Sequence, residues 1–133
     1  LDGGILIKTG QLNHPNGACG YRIEFEGKII AVCTDTEHFE DRIDENVVAL
    51  AQNADLMVYD AAYTEESYPN FKGWGHSTWQ EAIKVADAAN VKQTFLFHHE
   101  PSHSDEIMDK IAQEVALIKD GVRPAIEGET ITV

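Results

Sequence analysis

The chain has 133 residues, of which 43% are hydrophobic and 25% are charged, a composition typical of one folded domain. These values exclude a disordered, collagenous or coiled-coil chain. No stretch approaches the run of about 18 apolar residues that a membrane-spanning helix needs, and no signal peptide opens the sequence. We therefore expect a cytoplasmic protein without a membrane partner.

Acidic residues strongly outnumber basic residues. There are 23 Asp and Glu against 10 Lys and Arg, which gives a formal net charge of −13. A chain with this charge repels phosphate backbones at long range. The charge therefore argues against nucleic acid as a partner, unless bound cations reverse the local sign.

The first part of the chain predicts three strands. Residues 5–9 form a short apolar run, residues 19–25 alternate between apolar and polar, and residues 28–34 are rich in β-branched side chains. The Glu26-Gly27 pair predicts a hairpin turn between the last two strands. Cys19 and Cys33 fall in these strands and fit neither a disulfide framework nor a CxxC metal motif, so we expect two buried, reduced thiols.

Helices and strands alternate after the hairpin. Helices are predicted after Asp44, after Thr78, and after Ser102 or Ser104, because these polar side chains are suited to capping a helix N-terminus. The intervening and final strands are predicted at residues 55–59, 92–97 and 129–133. This order indicates a single α/β unit with a mixed sheet and helices packed on one face.

Histidines and carboxylates occur at the predicted strand ends and in loops rich in Gly or Pro. His14 lies in such a loop, Asp35 and Asp60 end strands, His76 precedes a helix, and His98 ends a strand. Loops at strand ends are where a rigid scaffold displays functional side chains. Imidazole and carboxylate groups suit zinc, iron or manganese. The coincidence of all five supports one shared site.

Each of these residues also has an ordinary structural interpretation. A single loop histidine is commonly a surface residue, and either aspartate could cap a turn. Alternation places His98 and His99 on opposite faces, so only one of them can point into a common site. His38 and His103 are interpreted as ordinary surface residues. Spacing alone leaves the metal site and the ordinary interpretation as equal alternatives.

Five short segments follow one another in a characteristic order. They are His14-Pro15-Asn16-Gly17, Gly20-Tyr21-Arg22-Ile23-Glu24, Thr34-Asp35-Thr36-Glu37, Gly75-His76-Ser77-Thr78 and Leu96-Phe97-His98. In this order and spacing they resemble the second half of the metallo-β-lactamase superfamily, in the branch that holds ribonuclease Z and the cyclic phosphodiesterases. The HxHxDH signature of that superfamily is absent from the 133 residues.

The resemblance implies a fold and a metal centre. Residues 1–133 are expected to form one unit, the C-terminal half of a four-layer αββα sandwich, with a mixed sheet that carries helices on one face. The chain begins at Leu1, and it is interpreted either as a processed chain or as a piece of a longer one. His14, Asp35 and His98 match metal ligands of a site for two divalent ions. Zinc is the expected metal, with manganese or iron as alternatives, and this chain supplies an incomplete ligand set.

The resemblance also implies an activity. Asp60 and His76 match a pair that assists proton transfer, so the expected function is a metal-dependent phosphodiesterase acting on a small cyclic phosphodiester or nucleotide. The isolated chain is expected to be inactive. The alternative is a non-catalytic interaction or sensor module.

The expected partners are the missing N-terminal half or a second copy of the chain. Either partner would cover the sheet face without helices, so a chain that lacks the N-terminal half is expected to form a homo-oligomer. The candidates for that face are Tyr21, Ile23 and Phe25, or alternatively Ile30 and Val32.

Overall fold

The computed structural model describes residues 2–133 and shows a six-stranded mixed sheet with three α-helices packed against one face. The strands follow one another across the sheet in chain order. The elements are β1 (Leu6–Leu12), β2 (Ala18–Phe25), β3 (Lys28–Cys33), α1 (Glu45–Ala51), β4 (Leu56–Asp60), α2 (Trp79–Ala88), β5 (Gln93–Phe97), α3 (Asp105–Ile118) and β6 (Val122–Pro124). Two short 3-10 turns, Asp2–Gly4 and Tyr68–Asn70, complete the secondary structure of the described residues.

The sheet changes from antiparallel to parallel pairing at its third strand. Strands β1, β2 and β3 form an antiparallel meander, whereas β3, β4, β5 and β6 run parallel to one another. The predicted hairpin turn is confirmed, because Phe25 pairs with Lys28 across Glu26 and Gly27. Both turn residues have positive φ, 48° and 78°, as a tight two-residue hairpin loop requires.

The helix starts follow the predicted capping residues. The side chain of Asp44 accepts hydrogen bonds from the first turn of α1, and Thr78 accepts one from the backbone N–H of Glu81 in α2. Of the two serines considered for α3, Ser104 occupies the N-cap position. Within residues 2–133, none of the helices has the length and apolar character needed to cross a membrane.

Two expectations about the strands are wrong. Residues 129–133 form no strand, because the three-residue strand β6 already occupies the place beside β5, with Val122 paired to Thr94. Cys33 is buried as expected, but Cys19 is exposed. Alternation along β2 places Cys19 on the same face as Tyr21, which none of the helices in the described part of the chain covers.

The hydrophobic core lies between the sheet and the three helices. One face of the central strands contributes side chains that are almost fully buried, and each helix contributes apolar side chains opposite them. Its members include Ala31, Cys33, Met57, Tyr59 and Leu96 from the sheet and Val47, Ala82, Val85, Ile111 and Val115 from the helices. This packing fixes the strand ends, and therefore the loops that follow them.

The opposite face of the sheet is largely apolar, and within residues 2–133 no helix packs on it. Strand register places Tyr21 beside Val32 and Ile23 between Ile7 and Ile30, so both candidate sets for this face lie on it together. We call this surface the open face; its members are Ile7, Tyr21, Ile23, Phe25, Ile30, Val32, Val58, Phe95 and Phe97. Ile7, Tyr21, Phe25 and Phe97 are each more than 40% exposed.

Candidate metal centre

Three candidate residues meet at one edge of the sheet because the parallel strands end there together. Asp60 is the last residue of β4, His98 follows β5 directly, and Asp35 lies two residues after β3. His98 Nδ1 lies 3.7 Å from Asp35 Oδ1 and 3.6 Å from Asp60 Oδ2. Asp35 and His98 both have positive φ, 58° and 62°, a costly conformation for residues other than glycine. The fold therefore holds both residues in a strained backbone conformation, which fixes the direction of their side chains.

Asp60 is a fully buried carboxylate that holds His76. His76 Nδ1 lies 2.8 Å from Asp60 Oδ2. The same carboxylate accepts backbone N–H bonds from Thr36, Ala62 and Ser77 at 3.2–3.3 Å. These donors offset the cost of burying the charge and fix its orientation. With Nδ1 engaged, Nε2 is the imidazole nitrogen left to face a ligand or substrate.

His14 reaches the same place from the loop after β1. Its ring centroid lies 5.8 Å from that of His76, and the His76 ring lies 4.4 Å from that of His98. Gly75 supports the His14 ring from behind: a Cβ at Gly75 would lie 2.3 Å from His14 Cδ2, and the φ of Gly75 is 94°. Only glycine fits this position without displacing His14.

The five candidates form two overlapping sets of possible metal ligands. One set is His14, Asp35 and His76, and the other is Asp60, His76 and His98. Within each set the ligand atoms lie within 4.8 Å of one another, and His76 belongs to both. Imidazole and carboxylate together form a donor set that suits zinc, manganese or iron. The structure therefore brings together all five residues singled out in the sequence.

The sequence left the choice between His98 and His99 open, and the structure places His98 among the candidates. His99 belongs to neither ligand set, and burial lowers the pKa of its imidazole. The expectation that His38 is an ordinary surface residue is wrong. His38 is half-buried, its Nδ1 lies 3.0 Å from the hydroxyl of Ser77, and burial lowers its pKa. His103 is also partly buried, with Nδ1 inaccessible to solvent.

Sequence reasoning missed Glu37, whose buried carboxylate ties two loops of the site together. It accepts hydrogen bonds from the Tyr68 hydroxyl at 2.6 Å and from the backbone N–H groups of Gly73 and Gly75 at 2.7 and 2.9 Å. Burial alone would raise the pKa of Glu37, but these hydrogen bonds outweigh burial and hold the pKa below its usual range. Through Gly75 the carboxylate also fixes the surface against which His14 packs.

The family model of the Beta-lactamase superfamily domain matches residues 4–99, which include all five candidate residues. The chain belongs to this superfamily.

Curated relatives include proteins named Ribonuclease Z. The protein from Limosilactobacillus reuteri is 28% identical over 107 residues, covering 80% of this chain and 33% of the relative. The protein from Archaeoglobus fulgidus is 38% identical over 71 residues, covering 50% of this chain and 22% of the relative. The chain thus spans about a third or less of the length of these relatives.

Solved structures share the fold. The metallo-beta-lactamase fold protein YhfI from Bacillus subtilis has a TM-score of 0.79 at 19% identity, covering 97% of this chain and 49% of that protein. Human tRNase Z, short form, has a TM-score of 0.72 at 20% identity, covering 99% of this chain and 43% of that protein. The expected mixed sheet with helices on one face is therefore confirmed as part of the metallo-β-lactamase fold.

Proposed function

We propose that this chain is the C-terminal half of a metal-dependent phosphodiesterase with a site for two divalent ions. The observation that carries the proposal is the convergence of His14, Asp35 and His98 with the His76–Asp60 pair at one edge of the sheet. The chain covers 49% of the Bacillus subtilis protein and 43% of the human tRNase Z that share its fold, which supports a companion half that supplies the remaining ligands.

Asp35, His14 and His98 are the proposed metal ligands of this chain, with zinc as the expected metal and manganese or iron as alternatives. Divalent ions bound by these residues would supply activation of a water molecule and neutralisation of the phosphate charge. The positive charge of bound ions would also offset the repulsion of phosphate that the net charge of −13 implies. Three ligands do not complete two coordination spheres, so we expect the isolated 133 residues to bind metal weakly and to be inactive.

His76 is the proposed general acid. Asp60 holds the imidazole through Nδ1, so that Nε2 is the nitrogen placed to pass a proton to the leaving oxygen. Because Asp60 is held in turn by three backbone N–H groups, the ring has one orientation. The carboxylate and the imidazole thus act as a unit.

The proposed substrate contains a phosphodiester, either within RNA or in a small cyclic or nucleotide compound. The relatives named Ribonuclease Z favour RNA and count against the expectation that nucleic acid is a disfavoured partner. The acidic surface favours the small compound. Comparing the turnover of a short RNA with that of a cyclic nucleotide, at low and at high salt, separates the two classes.

A second candidate function is that of an interaction or sensor module without catalysis. The apolar open face favours it, because an uncovered apolar surface of this kind commonly marks a contact with another protein surface. The second copy of the chain, or the companion half, is the proposed occupant of this face.

The test uses the complete protein loaded with zinc and bis(p-nitrophenyl) phosphate. We expect His76→Ala to lower kcat by about 100-fold or more, while His103→Ala, a matched histidine outside both ligand sets, has little effect. Asp35→Asn should reduce the metal content measured by atomic absorption, while the exposed Asp109→Asn should not. Full activity of His76→Ala, or unchanged metal content in Asp35→Asn, would refute the proposal.

A further inference from the structure

Trp74 is a large exposed aromatic side chain in the segment that leads into His76 of the candidate metal centre. It is 64% exposed, whereas Trp79, five residues further on, is 4% exposed and belongs to the core. Trp74 lies two residues before His76 in the segment Gly73-Trp74-Gly75-His76. The indole is therefore exposed in the same short segment as the proposed catalytic histidine.

The backbone on both sides of Trp74 is held by one carboxylate. Glu37 Oε1 accepts the N–H of Gly73 at 2.7 Å, and Oε2 accepts the N–H of Gly75 at 2.9 Å. Both glycines have positive φ, 87° and 94°, and the N–H of Trp74 donates to the carbonyl of Phe71 at 3.1 Å. The loop is therefore fixed, and the exposed ring is presented from a rigid backbone.

Aromatic side chains connect Trp74 to the site. The Trp74 ring meets Phe71 edge-on, with centroids 5.6 Å apart and planes at 87°. Phe71 stacks on Tyr63 at 4.5 Å, and Tyr63 meets His76 at 6.3 Å. These contacts support the indole from one side and connect it, through Phe71 and Tyr63, to the His76 imidazole.

We propose that Trp74 is the stacking platform for the nucleobase next to the phosphodiester that is cleaved. This inference rests on the proposed function and names a specificity-determining residue for it. Stacking on an indole is independent of charge, so it suits a chain with 10 basic against 23 acidic residues. The nearby cation Lys72 is already paired with Glu40 at 2.6 Å. Stacking on the indole is thus a source of affinity for the base that needs no basic residue.

The first experiment compares two substrates that share a leaving group in the complete, metal-loaded protein. Thymidine 5′-(p-nitrophenyl phosphate) carries a base, and methyl p-nitrophenyl phosphate does not. In Trp74→Leu the KM for the nucleotide substrate, divided by the KM for the methyl substrate, should rise by about 5- to 100-fold. This is the loss expected when one base stack is removed. Trp74→Phe, which keeps an aromatic plane, should restore most of the ratio. Leu117→Ala, an 88% exposed apolar residue on α3, is the matched control and should not change it.

The second experiment reads binding without turnover. Titration with uridine 5′-monophosphate should quench indole fluorescence in the wild-type protein, and Trp74→Phe should abolish that component of the quenching. If neither substrate is turned over but the quenching depends on Trp74, the proposed function fails and the stacking inference stands. An unchanged KM ratio in Trp74→Leu together with quenching that is insensitive to Trp74→Phe would overturn the inference. A loss of folding in Trp74→Leu that Trp74→Phe rescues, without any dependence on the base, would overturn it as well.

Discussion

Replacing Glu37 by glutamine tests the buried carboxylate that ties the site loops together. The carboxylate has two acceptor oxygens serving three donors: the Tyr68 hydroxyl and the Gly73 N–H at Oε1, and the Gly75 N–H at Oε2. Glutamine keeps the size of the side chain but has one oxygen and one NH₂ group. In either amide orientation, an NH₂ group therefore faces a donor.

The expected loss of stability in Glu37→Gln follows from these three hydrogen bonds. Leaving one buried donor without an acceptor costs about 1–3 kcal/mol, and changing each remaining bond from a charged to a neutral acceptor costs about 1 kcal/mol. Removing a buried charge relieves desolvation and offsets part of this loss. We expect Glu37→Gln to lower the free energy of unfolding by about 2–4 kcal/mol.

The assay is urea denaturation at several pH values, with Glu40→Gln as the matched control. Glu40 has an exposed side chain with one surface ion pair to Lys72, so its replacement should cost less than about 1 kcal/mol. Because the folded-state pKa of Glu37 lies below its ordinary value of 4.5, the stability from its ionised form is complete above that value. It is lost as the pH falls through the folded-state pKa. A stability gap between wild type and Glu37→Gln that equals the control, or that stays constant with falling pH, would refute the reasoning.

Two further predictions concern Gly75 and the two thiols. Gly75→Ala should lower the free energy of unfolding, measured by urea denaturation, by about 2–4 kcal/mol and weaken metal binding, because its Cβ would lie 2.3 Å from His14. The control Gly128→Ala, also at positive φ but in open space, should lower the free energy of unfolding by about 1 kcal/mol. Ellman's reagent should label Cys19 rapidly in the folded 133-residue chain at concentrations too low for self-association, because Cys19 is exposed there. Cys33 should be labelled only after unfolding, because burial raises the pKa of Cys33 to about 12; two rapidly labelled thiols would contradict this assignment.

The sequence predicted most elements because their signals are local. The hairpin at Glu26-Gly27 and the helix starts at Asp44 and Thr78 depend on residues within one turn of each other. The last strand was misplaced because residues 122–124 and 129–133 both contain β-branched side chains. Which of them pairs with β5 depends on the distance that the chain spans after α3, and the hydrophobic periodicity carries no information on that distance.

The difference between local and long-range signals also decides which residues of the candidate metal centre could be predicted. Asp35, Asp60 and His98 could be predicted because parallel strands end at one edge of a sheet. The loop composition grouped His14 with these residues, but its role as a metal ligand followed only from the family resemblance, because its loop reaches the site from the antiparallel part of the sheet. Glu37 could not be predicted, since its burial depends on donors 31 to 38 residues away. The metal-binding and catalytic roles of the site residues stay predictions.

The open face leads to a prediction about assembly. Its apolar side chains include Tyr21 at 45% and Phe25 at 42% exposure, and an uncovered apolar surface of several hundred square ångströms (~300–600 Å²) is at the upper limit for a monomer. In the proposed complete fold this face packs against the sheet of the companion half, about 10 Å away. The 133-residue chain alone has no such companion, so we expect it to self-associate through this face.

Sedimentation velocity on the 133-residue chain tests this prediction with a pair of charge-matched variants. Tyr21→Lys combined with Phe25→Lys places two charges on the open face and should yield a monomer, because each lysine would have to be desolvated in the contact. Leu117→Lys combined with Ile118→Lys changes net charge equally at exposed positions of α3 and should leave the assembly intact. If the wild-type chain sediments as a monomer, or if both variants dissociate it equally, the open face is not the contact surface. The complete protein should not self-associate through this face, because its companion half already covers the face.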